Sequence, residues 1–451
     1  MKKYLYGFLG LLISVGLPAQ QSGAPSQGRF TLRAALHYAL AHSYAMRKAS
    51  YAVQKAKRRR WEAVSIGLPQ LKGEVGYQNH LKQPVQLIPD AIFGGRQGAF
   101  REVVFSTAQN MAASATLSQL LFDGSYLVGL QSTRTYLRIS QQQRQSAAQQ
   151  IRESVSRAYG NVLLAEETLK IIEENLKVLR KSVHEAGQAV KNGLAAIEDV
   201  EQLQITLHSM ENRFNKAQRQ EKIAYQAFNM TLGRDIGLPV HLTQKMTQLA
   251  AASPEDPGLE TPFSPEDHID YRIAQNDKKA RALQLRYEQS KSLPRLSASL
   301  DYSRNAYAQD FSFFEGNQRW LESSTLGLRL QIPLFSSLGR HARIQQAQID
   351  LKIAEDKLDE TKQQIRLELQ KARSEYRFAR DQYQATKQNL ELAERVEKKE
   401  RVKFFEGISS SQELNGAQRQ LYQTQEKYLQ SLLEVINARA ALERALDTPI
   451  K

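Results

Sequence analysis

The chain of 451 residues contains no cysteine. That excludes disulfides, thiolate metal sites and an acylated N-terminal cysteine anchor. Proline is missing from two long stretches, one between Pro89 and Pro239 and one between Pro333 and Pro449. Proline breaks helix interiors, so each gap leaves room for long helices. Beyond the N-terminus no apolar run reaches the roughly 20 residues a membrane-spanning helix needs. Catalytic signatures are missing too. There is no His-Glu-x-x-His, phosphate loop or nucleophile elbow, and His37 and His42 lie off a common helical face. The sequence therefore points to no enzyme, no cofactor and no metal site.

What is present starts with charge. The net charge is +15 and 24% of residues are charged. The mean hydropathy is −0.52. A basic balance suits nucleic acid, an anionic membrane or a solvated surface. The N-terminus narrows this. Lys2-Lys3 precede an apolar run from Tyr4 to Val15 and then Gly16-Leu17-Pro18-Ala19-Gln20, the pattern of a secretory signal peptide over residues 1–19. Export argues against nucleic acid as a partner. The run Lys57-Arg58-Arg59-Arg60 then reads as a solvated helix face rather than a phosphate site.

The proline-free stretches are rich in Ala, Leu, Gln, Glu, Lys and Arg, all good helix formers. Helical patterning runs from about Ser125 to Asn192 and Ile197 to Leu232, and again from about Leu338 to Glu406 and Ser411 to Leu446. At about 1.5 Å per residue the longer of each pair extends roughly 100 Å, which implies a rod, coiled coil or helical barrel.

Four short segments alternate instead with period two. Leu71, Gly73, Val75 and Tyr77 alternate with polar residues or glycine, and so do Met111 to Leu117, Leu296 to Tyr302 and Leu326 to Ile332. The opposite face carries Lys72, Glu74, Asp301 and Arg329, as a wet lumen does. An ordinary sheet over a water-soluble core is the other reading, but no globular remainder is evident for it to cover. Four strands cannot close a barrel, because the smallest single-chain membrane barrels use about eight. An open edge in lipid leaves backbone groups unpaired at several kcal/mol each. Membrane strands therefore require several copies to share one barrel. The strand pairs are joined by a loop from about Lys82 to Gln109 and another from about Arg304 to Ser323, the latter with Phe311, Phe313, Phe314 and Trp320.

The marks recur in order. Leu68-Pro69-Gln70-Leu71 before Tyr77 matches Leu293-Pro294-Arg295-Leu296 before Tyr302, and Leu121-Phe122-Asp123 matches Leu334-Phe335-Ser336. This indicates a duplicated unit. The expected layout is a first repeat over residues 28–249, a linker over 250–265 marked by Pro254, Pro257, Pro262 and Pro265, and a second repeat over 266–448.

These residues resemble a known family. Phe30-Thr31-Leu32-Arg33-Ala34-Ala35-Leu36 with Ala39-Leu40, then Leu68-Pro69-Gln70-Leu71, Thr231-Leu232-Gly233 with Pro239, and Ile332-Pro333-Leu334-Phe335 are similar to motifs of the TolC-like outer membrane efflux channels. The likeness runs from about Arg29 to Asp447. Ala41-His42-Ser43-Tyr44 replaces the family's Asn-Asn-Pro, a departure that touches local helix geometry. The resemblance implies an α+β trimer in the outer membrane. Four β-strands per chain form a shared 12-stranded β-barrel, continued by a long α-helical barrel in the periplasm. It implies a homotrimer working with a periplasmic membrane fusion (adaptor) protein and an inner membrane pump of RND, ABC or MFS type, in contact with outer membrane lipid. A periplasmic structural coiled coil of the cell envelope is the competing reading.

By the same resemblance, the helix-turn-helix tips close the periplasmic end. The matching stretches are Val190 to Val200 and Val402 to Leu414. Asp199 and Glu413 stand at equal distance after Gly193 and Gly407, with Glu198 and Phe404 as further gate candidates. In a trimer each acid gives a ring of three carboxylates, which favours cations. A second acidic position after Glu413 is Gly416 here, which weakens that ring. Gly193, Leu194, Gly407 and Ile408 are the expected tip turns and adaptor contacts. A structural role stays open for both acids: Ser410-Ser411-Gln412-Glu413 is also a capping box, and Asp199 suits a helix first turn.

Overall fold

In the computed structural model of the protein, residues 28–193, 196–251 and 262–447 are described. The expected signal peptide with Ala19, the linker prolines Pro254 and Pro257, and Leu194 lie outside them.

The chain opens with β1 (Arg29–Phe30), α1 (Leu32–His42) and α2 (Tyr44–Ser65). Four strands follow: β2 (Gln70–Asn79), β3 (Gln86–Pro89), β4 (Phe100–Val103) and β5 (Gln109–Asp123). Then come α3 (Gly124–Lys191), α4 (Ile197–Leu232), β6 (His241–Leu242) and α5 (Met246–Ala251). The second half runs through α6 (Ile269–Ser290), β7 (Arg295–Ala308), β8 (Trp320–Gln331), α7 (Gly339–Phe405) and α8 (Ser411–Ala445).

The four alternating segments form one antiparallel sheet in the order β2-β5-β7-β8. Its register lines up one leucine from each strand: Leu71 faces Leu117, Leu117 faces Leu300 and Leu300 faces Leu326. That face is bare. Leu71, Leu326 and Leu328 are each more than 70% exposed, a state water does not tolerate in a contiguous patch. Arg304, paired to Glu322, interrupts the face toward the loop end. The other face is a connected polar belt. Thr116 donates to Asp301 at 2.7 Å, Ser299 donates to the same carboxylate at 3.1 Å, and Ser303 and Ser323 share a 2.7 Å bond.

The expected loop over residues 82–109 carries structure that alternation did not reveal. β3 and β4 pair antiparallel around a 3-10 turn at Asp90–Phe93, and Arg101 closes it on Asp90 at 2.9 Å. The strands are too short for a readable period. The second loop is shorter than its sequence suggests, because β7 and β8 extend into it. Phe313 tucks beneath Met111 and Ala306, and Tyr77 meets Phe311 edge-on at 5.6 Å.

The helices pair as hairpins, α3 with α4 and α7 with α8, and stand side by side beneath the sheet in the order α2, α3, α6, α7. Asp123 starts α3 by accepting from the Ser125 and Tyr126 amides at 2.8 and 3.2 Å. Partway along, a knot gathers the chain. Phe30, Leu36, Tyr159, Phe228, Leu232 and Leu432 pack together, and β1 lies parallel to β6 across the first half.

Candidate functional site at the helical tips

A helix rises about 1.5 Å per residue, so the 68 residues of α3 place its far end roughly 100 Å from the sheet. Two turns lie there, α3 to α4 and α7 to α8. Gly193 and Gly407 make them with φ of +71° and +75°, in the left-handed region where a side chain would be strained. Ile408 is 71% exposed beside the second glycine.

The two turns treat their acids differently. At α8, Ser410 and Glu413 form a complete capping box. The Glu413 carboxylate accepts from the Ser410 amide and from the Ser409 hydroxyl, both at 2.9 Å. Glu400 accepts from Lys403 at 2.7 Å and from Ser409 at 3.0 Å. Ser409 has a single hydroxyl proton, so it serves one of these carboxylates at a time. The Ser410 amide bond, followed by the two hydroxyls, holds the Glu413 carboxyl below its ordinary value. Lys403 and then Ser409 do the same for Glu400. These groups line a surface groove of about 380 Å³ with Val396, Ile408 and Gly416.

At α4 the acids are free. Its N-cap, Ala196, offers no side-chain bond, and Glu198 and Asp199 sit in the first turn. Among the described residues neither carboxylate has a hydrogen-bond or ion-pair partner; Glu198 is exposed and Asp199 half-buried. The positive end of the α4 dipole favours both charges. Phe404 does not stand free in solvent. It packs on the edge of a tip core built from Leu176, Leu179, Leu203, Met210 and Leu414, with its ring 5.3 Å from Phe405.

A pH dependence follows from the cap. Both Glu413 and Glu400 have lowered folded values, so their contribution is complete above the ordinary glutamate value of 4.5 and is lost as pH falls through the lowered ones. Acidification is expected to speed amide hydrogen exchange at the start of α8, after correction for intrinsic rates. Ser410→Ala should reproduce the effect at neutral pH, at about 1 kcal/mol.

A polar layer just above the tips has no signature in the sequence. Thr206 on α4 donates to Asn415 on α8 at 3.2 Å, and Asn175 on α3 donates to Gln425 at 2.8 Å. Glu397 is buried beside Gln418 and Tyr422, with Arg401 at 3.5 Å. Burial raises the Glu397 carboxyl, against the pull of Arg401, and pushes the Tyr422 hydroxyl up to about 12. These residues are ordinary polar positions on polar helices. Only the register between hairpins makes them partners. Among the described residues no group of acidic or histidine side chains is placed to hold a metal ion.

Comparison with known proteins agrees with this geometry. The sequence model described as "Outer membrane efflux protein" matches residues 35–234 and 270–448. Protein CyaE of Bordetella pertussis is 26% identical over 257 residues, 56% of this chain and 53% of the relative, so the match spans about half of that protein's length. Among solved structures, CusC superposes with a TM-score of 0.70 at 18% identity, covering 92% of this chain and 91% of CusC. The outer membrane protein VceC of Vibrio cholerae gives 0.69 at 16% identity, covering 92% and 96%.

Proposed function

This chain belongs to the outer membrane efflux protein family, and on that premise we propose that three copies form the exit duct of a tripartite efflux or type I secretion system. Membership makes it an outer membrane channel without catalytic chemistry. The proposal concerns what it is joined to and how its inner end is closed.

One observation carries the reading. The sheet has four strands, a bare leucine face, a polar opposite face and two unpaired edges, and roughly 100 Å of paired helix continues from it. Unpaired edges do not persist in lipid, and four strands do not close. Three copies supply twelve strands, enough for a barrel with a wet interior. A structural coiled coil without membrane strands has no use for the leucine row.

The tips suit contact with a periplasmic adaptor, which would link the duct to an inner membrane pump of RND, ABC or MFS type. Ile408, Val402 and Phe405 near one turn and Ile197 near the other are exposed apolar side chains at the far end of the helices. Gly193 and Gly407 keep the turns narrow.

The engagement of Glu413 in capping, beside Asp199 and Glu198 that have no partner among the described residues, supports Asp199 as the stronger selectivity candidate. Purified protein in planar bilayers should conduct and prefer cations. Asp199→Asn is expected to shift the reversal potential in a salt gradient toward zero selectivity, and Glu413→Gln to shift it less. The reverse order would place the selective ring on the α7–α8 turn. A protein that crosslinks only as a monomer and does not conduct would overturn the duct.

A further inference from the structure

The two ends of the sheet differ in charge. At the loop end cations and acids balance: Lys82, Arg96 and Arg101 stand against Asp90 and Glu102, and Arg319 against Asp310 and Glu315. At the end where the helices begin they do not. The last turns of α2 carry Lys55, Lys57, Arg58, Arg59 and Arg60 against Glu62 alone. The first turns of α3 add Arg134 and Arg138, and those of α7 add Arg340 and Arg343. In sequence alone the α2 run is a solvated helix face. Its place beside a membrane sheet gives it a different meaning.

Contacts across the row bring these helix ends to one level. The Tyr126 hydroxyl at the start of α3 donates to the Val64 carbonyl at the end of α2 at 3.2 Å. Glu288 at the end of α6 meets Lys291 at 2.8 Å and Arg343 of α7 at 3.7 Å. Asp123 caps α3 and faces Arg295 at 3.7 Å. Both acids are thus occupied by other cations. Among the described residues Lys57, Arg58, Arg59 and Arg60 are exposed and have no hydrogen-bond or ion-pair partner, and Glu62 forms no bridge with Arg58 four residues before it. The helix dipole does not account for the run. Its effect is confined to the last turn, and the last turn of α2 holds no basic residue.

The apolar surface of the sheet runs down to the same level. Leu334, Phe335 and Leu338, in the link from β8 to α7, are each more than 70% exposed. Ile66 and Leu68 after α2 are exposed too, as is Leu121 before α3. Trp61 stands exposed one turn before the end of α2, beside the cationic run. A tryptophan between apolar surface and charge suits the membrane–water boundary, where its ring reaches hydrocarbon and its N–H reaches water. Along α2, the step from Arg60 to Ser65 is about 8 Å of helix. The headgroup layer is roughly 5–8 Å deep on each side of a bilayer. Attraction to a charged membrane decays over a Debye length of about 8 Å. Arg58 to Arg60 lie within that combined range.

Resting on the duct reading above, we propose that this cationic collar binds the anionic glycerophospholipid headgroups of the membrane leaflet on the helix side. Arginine suits them, because its planar guanidinium grips two phosphate oxygens at once. The collar continues the apolar face of the sheet without a gap, so one lipid meets both: its chains lie on Leu334 and Phe335 and its phosphate reaches the end of α2. Three copies place the run at three points around the tube. The balanced loop end carries no such preference, so the collar also fixes the depth at which the duct sits.

The test uses the intact protein in a neutral detergent, mixed with equal amounts of phosphatidylglycerol and phosphatidylcholine of identical acyl chains. Native mass spectrometry counts the lipids retained. The parent is expected to prefer phosphatidylglycerol, and the preference should fall as salt is raised. Arg58→Gln with Arg59→Gln and Arg60→Gln is expected to lower it roughly tenfold or more, since each cation near the surface contributes roughly fivefold. Arg96→Gln with Arg319→Gln, at the loop end, should leave it unchanged. Replacing the same three arginines of α2 by lysine should keep most of the preference, which separates lost charge from a damaged fold. Equal loss in the lysine variant, or a preference that ignores salt, would overturn the collar. So would a preference that the loop-end variant abolishes and the α2 variant keeps. Equal retention of the two lipids by a parent that still runs as a trimer and conducts would overturn the collar and leave the duct standing. A parent that neither assembles nor conducts would overturn the duct itself.

Discussion

Leu300→Arg is expected to remove most of the protein from the outer membrane. Leu300 sits in the row formed with Leu71, Leu117 and Leu326, one residue from each strand. In the isolated chain it is 45% exposed and Leu326 is 75% exposed, so the row faces outward rather than into a protein core. A cationic side chain near the midplane of a membrane barrel costs about 2–4 kcal/mol, and a trimer meets that cost in each of its three copies. The measurement is the amount of heat-modifiable trimer in outer membrane fractions. Ser299→Arg is the control. Its neighbour across the strand pair is Ser118, and it shares the polar face with Asp301. That variant should assemble and alter conductance instead. Normal assembly of Leu300→Arg together with failure of Ser299→Arg would assign lipid to the opposite face.

Phe228→Ala should produce the largest loss of stability within a single chain. Phe228 is fully buried where α1, α3 and α4 converge. Its ring meets Phe30 at 6.4 Å and Tyr159 at 5.8 Å, both edge-to-face. Truncating a buried phenylalanine costs about 3–5 kcal/mol, because the cavity left behind collapses only in part. The loss should spread, since Tyr159 donates from its hydroxyl to the Phe30 carbonyl at 3.0 Å and so ties β1 to α3. Burial pushes that hydroxyl up to about 12, so it remains a donor at any working pH. The expected result is an early loss of helical circular dichroism on heating, with the trimeric barrel persisting to higher temperature. A single coincident transition unchanged from the parent would show that the knot is not where the helices are anchored.

Most of the architecture was legible in the residues. The four strands lie where alternation placed them, and the long helices end within a residue or two of the boundaries the proline gaps and tip glycines suggested. The reason is that both periods are strong. Long amphipathic helices and half-exposed strands repeat one rule many times, so single ambiguous positions do not matter. The short elements escaped. β1 pairs with β6 and β3 with β4 over a few residues each, too few for a period to show, and β1 and β6 lie far apart in sequence.

The tips divide in the same way. The sequence supplied the capping box at Ser410 and Glu413 together with an alternative role as a gate. Geometry then separated Glu413, engaged by the Ser410 amide, from Asp199, which has no partner among the described residues. Capping is local, with all participants within four residues, so the pattern is visible in one dimension. Whether a carboxylate also meets a hydroxyl or a lysine depends on how the turn brings neighbours round. Phe404 illustrates the point: a gate candidate in the sequence, it lies at the edge of a core to which α3, α4 and α8 contribute.

By itself, the sequence determined the lengths of the helices, the four alternating strands and the duplication that orders them. Each follows from local propensity and repetition. The tertiary structure decided which polar residues became partners, as with Thr206 and Asn415, and which edges stayed open, β2 with α2 and β8 with α7. Those outcomes depend on register between elements distant in sequence. Register is set by packing, which no local pattern along the chain encodes.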